Sequence, residues 1–227
     1  MRLILFDVDG TLLTCGPQVR PLFADALREV FGRTGDLDGY SFAGKTDPRI
    51  VLDLMTAAGL EPEAVRRALP RMRDRYLDRL ERRLERRGMA VLPGVVELLE
   101  RLAAAPDVTL GLVTGNWRRG ARVKLAHFDL NRFFPFGAFG DDGVQRHELP
   151  PVALARARAA TGRGFAPSEV LIVGDSVEDV ACARAHSLRC LAVATGWTAS
   201  ADLERAGACW VAADLPSAEA ALAAFAS

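Results

Sequence analysis

Four aspartates stand where two short apolar runs end. Asp7 and Asp9 follow Leu3–Phe6, and Asp175 and Asp179 follow Val170–Val173. Each run reads as a buried strand, so each acidic pair is expected at a strand's carboxyl end. If the two strands are neighbours, up to four carboxylates converge. Such a cluster repels itself unless a cation or a shared proton relieves it. Oxygen-only ligation by few carboxylates suits Mg²⁺, which keeps several waters and also binds substrate phosphate. One aspartate in such a place would read as a turn or helix cap. Two pairs, each after an apolar run, point instead to a shared site.

A third strand end carries Thr114-Gly115-Asn116. A hydroxyl and a glycine leading into a helix can bind an anion through the side-chain O–H and backbone N–H groups, although an ordinary N-cap would look the same. A cation to balance a phosphate is offered by Arg146, just before the helix expected from Pro151, although one arginine among 27 reads equally as a surface residue.

The elements that must position these groups alternate. Apolar runs at Val108–Val113, Cys190–Ala194 and Cys209–Ala212 join the first two as strands. Between them lie helical patterns at Gly94–Ala105, Arg119–Phe128, Pro151–Ala160 and Glu178–Ala185. This alternation predicts an α/β fold, a Rossmann-like parallel sheet flanked by helices, with ligands at the carboxyl ends of the strands. From about Cys15 to Gly88 the rhythm breaks. Helical patterns fill it at Val19–Phe31, Pro48–Ala58 and Glu63–Arg87, the last with Leu69, Met72, Tyr76, Leu80 and Leu84 on one face. The expected division is a core of residues 1–14 and 91–227 and an inserted all-helical cap of 15–90. An Ala-rich last helix is expected over Ala218–Ala226.

Composition bounds the function. The 227 residues are 50% hydrophobic and 26% charged, enough for a packed core, and the formal net charge is zero. No global basic field exists to hold nucleic acid. Lysine occurs only at Lys45 and Lys124, so arginine supplies the other 27 cations. Residues 61–88 hold ten arginines against six acids, a net of +4. That stretch reads as a solvated helix face with pairs such as Asp78–Arg82 rather than as a nucleic-acid surface. No apolar run approaches the roughly 20 residues that span a bilayer, and Leu3–Phe6 is too short for a signal-peptide core. The four cysteines, Cys15, Cys182, Cys190 and Cys209, form no CxxC. They read as free thiols, with a Cys182–Cys190 disulfide as the alternative. A cytoplasmic protein, monomer or homodimer, is the expectation.

DVDGT at 7–11, LVTGN at 112–116 and GDSVED at 174–179 resemble motifs one, two and four of the haloacid dehalogenase superfamily, in the same order and with a cap after the first. The resemblance spans essentially the whole chain. It implies a Mg²⁺ cofactor, an aspartyl-phosphate intermediate and a small phosphorylated metabolite as substrate. Asp7 would be the nucleophile and Asp9 the general acid and base. Asp7, the backbone carbonyl of Asp9, and Asp175 would hold the metal, with Asp179 orienting the waters around it. Thr114, Gly115 and Asn116 would form the phosphate site. At motif three the family usually offers a lysine; here Arg146 takes that place, keeping the charge and adding a bidentate fork. Lys124 is the rival, but a mid-helix lysine reads as solvent-exposed. The cap loop Gly44-Lys45-Thr46-Asp47 would face the site, with Lys45 and Thr46 meeting substrate; a cap for the helix from Pro48 is the competing reading. The implied activity is a phosphatase of the phosphoglycolate phosphatase type. The alternative is a phosphomutase resembling β-phosphoglucomutase. A 2-haloacid dehalogenase is disfavoured because that branch lacks the second aspartate of motif one. A non-catalytic binding protein is disfavoured by the complete acid and phosphate sets.

Overall fold

A computed structural model of the chain describes residues 1–218, 220, 222 and 225. Its main sheet has six parallel strands: β1 (Arg2–Phe6), β4 (Val108–Val113), β5 (Gly137–Ala138), β6 (Val170–Gly174), β7 (Arg189–Val193) and β8 (Trp210–Ala212), in the order β5-β4-β1-β6-β7-β8. The first strand thus lies between β4 and β6, and chain order reverses across it. In an open parallel sheet that reversal opens the ligand crevice at the strands' carboxyl ends. Phe6 pairs with Leu112 and Val173, so the segments after all three strands start at one level.

Alternation along the strands builds the two faces. Leu3 and Leu5 point to one face, with Leu149 and Ala153 of α6 (Leu149–Thr161), Val180 of α7 (Val177–Arg184) and Leu203 of α8 (Ser200–Ala206). Ile4 and Phe6 point to the other, with Leu98 and Leu99 of α4 (Val95–Ala104) and Leu125 of α5 (Arg118–Ala126). Burial on both faces is why these strands read as continuous apolar runs.

Between β2 (Leu13–Thr14) and β3 (Ala90–Val91), a short antiparallel ribbon, lie α1 (Val19–Phe31), α2 (Asp47–Ala57) and α3 (Pro62–Arg83). Phe23, Met55, Met72, Tyr76 and Leu80 pack them together. Phe23 and Tyr76 also meet Trp117, which precedes α5, with ring centroids 6.4 and 5.9 Å away. A Cβ at Gly120 would lie 3.1 Å from a Leu77 methyl. Close approach of α3 and α5 therefore uses a residue without a side chain.

Differences from the sequence reading have local causes. The helix expected to run to Arg87 ends at Arg83, because the next backbone groups have another partner: Gln18 accepts from the Glu85 N–H and donates to the carbonyls of Glu85 and Arg87. Strand β5 and helix α8 were not foreseen, being two and seven residues long and too short for a periodic signal. The last helix expected over Ala218–Ala226 falls mostly outside the described residues. The four cysteines are free. The arginines of α3 are extensively paired: Arg75 and Arg79 with Glu29, Arg83 with Asp25, Arg82 with Asp78 and Arg66 with Glu63. That suits a solvated face. Among the described residues no helix is long and apolar enough to cross a membrane.

Candidate active site

Asp7 is the first residue past β1, and its N–H donates to the Val173 carbonyl at 2.9 Å. Asp175 follows β6, and Asp179 lies in the first turn of α7, where Ser176 caps the helix and the two exchange a capping box. These elements bring the carboxylates of Asp7, Asp175 and Asp179 to within 4.8 Å of one another, all buried. Burial raises the Asp7 carboxyl to about 6, with Arg146 opposing and Asp179 reinforcing. Burial, then the charges of Asp7 and Asp179, raise Asp175 to about 8. The acids thus strain against their own proximity, which a divalent cation relieves. The cradle is tight: a Cβ at Gly10 or Gly196 would come within 2.4 or 1.7 Å of Asp175 Oδ2. The Thr11 hydroxyl donates to Asp175 Oδ1 at 3.2 Å. An all-oxygen, buried and mutually repelling set fits Mg²⁺.

Arg146 opens the short turn before α6 and is 5% exposed. Its Nη2 lies 3.2 Å from Asp7 Oδ1 and bonds Asp179 Oδ1, while Nη1 donates to the Gly44 carbonyl at 2.9 Å. Thr114 is fully buried past β4, and its hydroxyl favours the ionised form of Asp7 against the pull of burial. The Gly115 carbonyl accepts from the Asp47 N–H at 2.8 Å. A Cβ at Gly115 would lie 2.1 Å from the Lys45 carbonyl oxygen, and one at Gly44 2.2 Å from Ser176 Oγ. The loop before α2 is therefore seated directly on the segments after β4 and β6, and glycine permits both approaches.

Three expected roles change with the side-chain positions. Lys124 is not solvent-exposed: it is 2% exposed, with Nζ 2.6 Å from Asp9 Oδ2. The α5 face that carries it turns inward, toward Asp9 and the helical segment. The Asn116 carboxamide, expected at a phosphate, is taken within the protein. Its Nδ2 donates to Asp9 Oδ2 at 2.7 Å and Thr114 Oγ1 at 2.9 Å, and its Oδ1 accepts from Lys124 at 2.6 Å. The Thr46 hydroxyl caps α2, accepting from the Arg49 N–H and bonding the Val144 carbonyl. Lys45 is half-buried, its Nζ 3.8 Å from the centroid of the Tyr40 ring. Asp9 lies outside the three-aspartate cluster by its side chain, as a ligand through its backbone carbonyl would. Asp47, buried, accepts from the Trp117 N–H at 2.8 Å.

The sequence reading passed over Ser176 and Thr11 as site residues, though both lie inside the motifs that carry the aspartates. Lys124 had no such signal beyond its rarity. His147, the neighbour of Arg146, is exposed.

A family model described as haloacid dehalogenase-like hydrolase matches residues 4–184. The phosphoglycolate phosphatase of Rhodobacter capsulatus is 29% identical over 183 residues, covering 80% of this chain and 78% of that protein. The phosphoglycolate phosphatase of Synechococcus elongatus is 28% identical over 212 residues, covering 93% and 92%. The crystal structure of a hydrolase from Pseudomonas syringae superposes with a TM-score of 0.72 at 23% identity, covering all of both chains. With the aspartate-bearing strand ends in the matched segment, the chain belongs to the haloacid dehalogenase-like hydrolases.

Proposed function

We propose that this protein is a Mg²⁺-dependent phosphatase of small phosphomonoesters, with phosphoglycolate the first candidate substrate, working through an aspartyl-phosphate. The observation that carries the reading is the buried carboxylate of Asp7, at a strand end among two further aspartates and against Arg146. The names of the two phosphoglycolate phosphatase relatives support the substrate.

An Asp7 oxygen attacks phosphorus. The bond to the ester oxygen breaks, its electron pair passing to that oxygen, which takes a proton from Asp9. Water then attacks phosphorus, losing a proton to Asp9. The bond between phosphorus and Asp7 breaks, freeing phosphate and restoring both carboxyl groups. Arg146, Thr114 and the Gly115 amide supply fixed positive charge and donors for phosphoryl oxygens. Asp7, Asp175 and the Asp9 carbonyl would hold Mg²⁺, with Asp179 acting through its waters; when bound, the ion neutralises the acids and draws charge from the phosphoryl group. Residues 15–90 act as the cap, excluding water when the 44–47 loop is seated and admitting substrate when it lifts. The hinges lie near Leu13–Gly16 and Val91–Gly94.

The test is a panel of p-nitrophenyl phosphate, phosphoglycolate and sugar phosphates, with and without Mg²⁺. Phosphate release that needs Mg²⁺ and is abolished by Asp7→Asn is the expected result; turnover that survives the substitution rejects the mechanism. An isomerised sugar phosphate in place of free phosphate would identify a mutase, and chloride release from a haloacid a dehalogenase.

A further inference from the structure

The reaction uses Asp9, yet the buried cation beside that residue has no part in it. Lys124 projects from α5 into a site where two donors meet one carboxylate oxygen. Its Nζ lies 2.6 Å from Asp9 Oδ2, and Asn116 Nδ2 donates to the same oxygen at 2.7 Å. Lys124 also donates to Asn116 Oδ1 at 2.6 Å, closing the three groups into a ring. Lys124 and Asn116 are buried, whereas the Asp9 side chain is 41% exposed. The ring therefore has a rigid base and one open end, the carboxylate. From the helical segment, Cys15 stands near Asp9, and Asp47 and Tyr76 stand near Lys124.

A lysine serving the transferred phosphoryl group would stand against Asp7, but Arg146 holds that place. Proton transfer needs the acid within about 2.6–3.2 Å of the leaving oxygen. A carboxylate turning freely about its side-chain bonds meets that demand part of the time. Two donors on Oδ2, one of them charged, hold its plane.

We propose that Lys124 is a positioning residue: by holding Asp9 Oδ2 it aims Oδ1 at the leaving-group oxygen. The proposal rests on the phosphatase reading above. It separates Lys124 from a lysine that only supports α5, because alignment of Asp9 matters in proportion to how much the leaving group needs a proton.

The experiment compares kcat/KM, which reports steps through leaving-group departure, for p-nitrophenyl phosphate and for the fastest alkyl phosphate of the panel. A p-nitrophenolate departs without a proton; an alkoxide does not. Lys124→Met should lower the alkyl value about 100-fold or more and the aryl value less than about tenfold. Equal losses on both esters, or no loss on either, overturn the proposal. If thermal melts show that Lys124→Met does not fold, Lys124→Arg is read in the same way. Its longer planar head cannot keep both Asp9 Oδ2 and Asn116 Oδ1 in place. An alkyl-to-aryl ratio at least about threefold below wild type is then expected, since about 0.6 kcal/mol of misalignment suffices, and an unchanged ratio overturns it. Wild-type protein that hydrolyses no ester, or Asp7→Asn protein that still does, overturns the phosphatase reading itself and the role of Lys124 with it.

Discussion

The Arg146 guanidinium lies 3.2 Å from the Asp7 carboxylate while another of its nitrogens donates to the Gly44 carbonyl at 2.9 Å. One planar cation therefore joins the proposed nucleophile to the loop seated on Gly115, and also reaches Asp179. A lysine ammonium is a single point and cannot span these partners.

Arg146→Lys should fold and retain measurable turnover, with kcat/KM reduced about tenfold or more, because the charge near Asp7 survives while the tie to Gly44 does not. Arg146→Met leaves buried carboxylates without their cation and should cost about 3–5 kcal/mol in urea unfolding. Equal stability of Arg146→Met and wild type would contradict the ion-pair network.

Mg²⁺ should stabilise the folded protein as well as activate it. The ion binds the folded cluster and not the unfolded chain, so the thermal midpoint should rise with MgCl₂ and fall back on chelation. Asp175→Asn removes one of three crowded carboxylates. It should raise the midpoint of the metal-free protein and shrink the shift that MgCl₂ produces. A wild-type midpoint insensitive to MgCl₂ would argue against the cluster as a metal site.

Gly115→Ala tests the seating of the 44–47 loop. The added Cβ would meet the Lys45 backbone at 2.1 Å, where no flexible side chain can give way. Misplacement of about 1 Å near the reacting groups can cost about 100-fold. We expect kcat/KM to fall at least tenfold on this ground, with the loop more open to limited proteolysis. Wild-type kinetics in a correctly folded Gly115→Ala protein would show that the loop need not seat there.

Asp47 should make stability depend on pH. Burial lifts its carboxyl to about 7, against the pull of Lys124 and the Trp117 N–H. Its folded value therefore stands above its unfolded one, near 3.8. The stability it contributes is fully present below the unfolded value and is lost as pH rises through about 7. Asp47→Asn keeps an oxygen for the Trp117 N–H and cannot ionise. Relative to wild type it should gain about 1–3 kcal/mol between about pH 5 and pH 8, read by urea unfolding. A difference that stays flat across that range would contradict the shift.

Much of the site was legible along the chain because its parts depend on local chemistry. Leu3–Phe6 and Val170–Val173 are apolar because both faces of a parallel strand are buried, and an aspartate just past such a strand must emerge at its carboxyl edge. Arg146 was found by its place before Pro151 together with the resemblance at motif three. Lys124 was not legible, since the pattern of α5 does not say whether that face meets water or α3 and Asp9. Spacing offered a cap for α2 beside a substrate role for the 44–47 loop without choosing between them, and it could not tell that Asn116 would bond Asp9. The sequence by itself determined the order of the longer elements and the set of acids. Tertiary structure alone decided which of the two lysines is buried, which oxygen of Asp9 is held, and that the 44–47 loop reaches Gly115 and Arg146. Strand ends are set by burial within a few residues, whereas those contacts join segments about 70 to 115 residues apart, whose meeting depends on how whole helices pack.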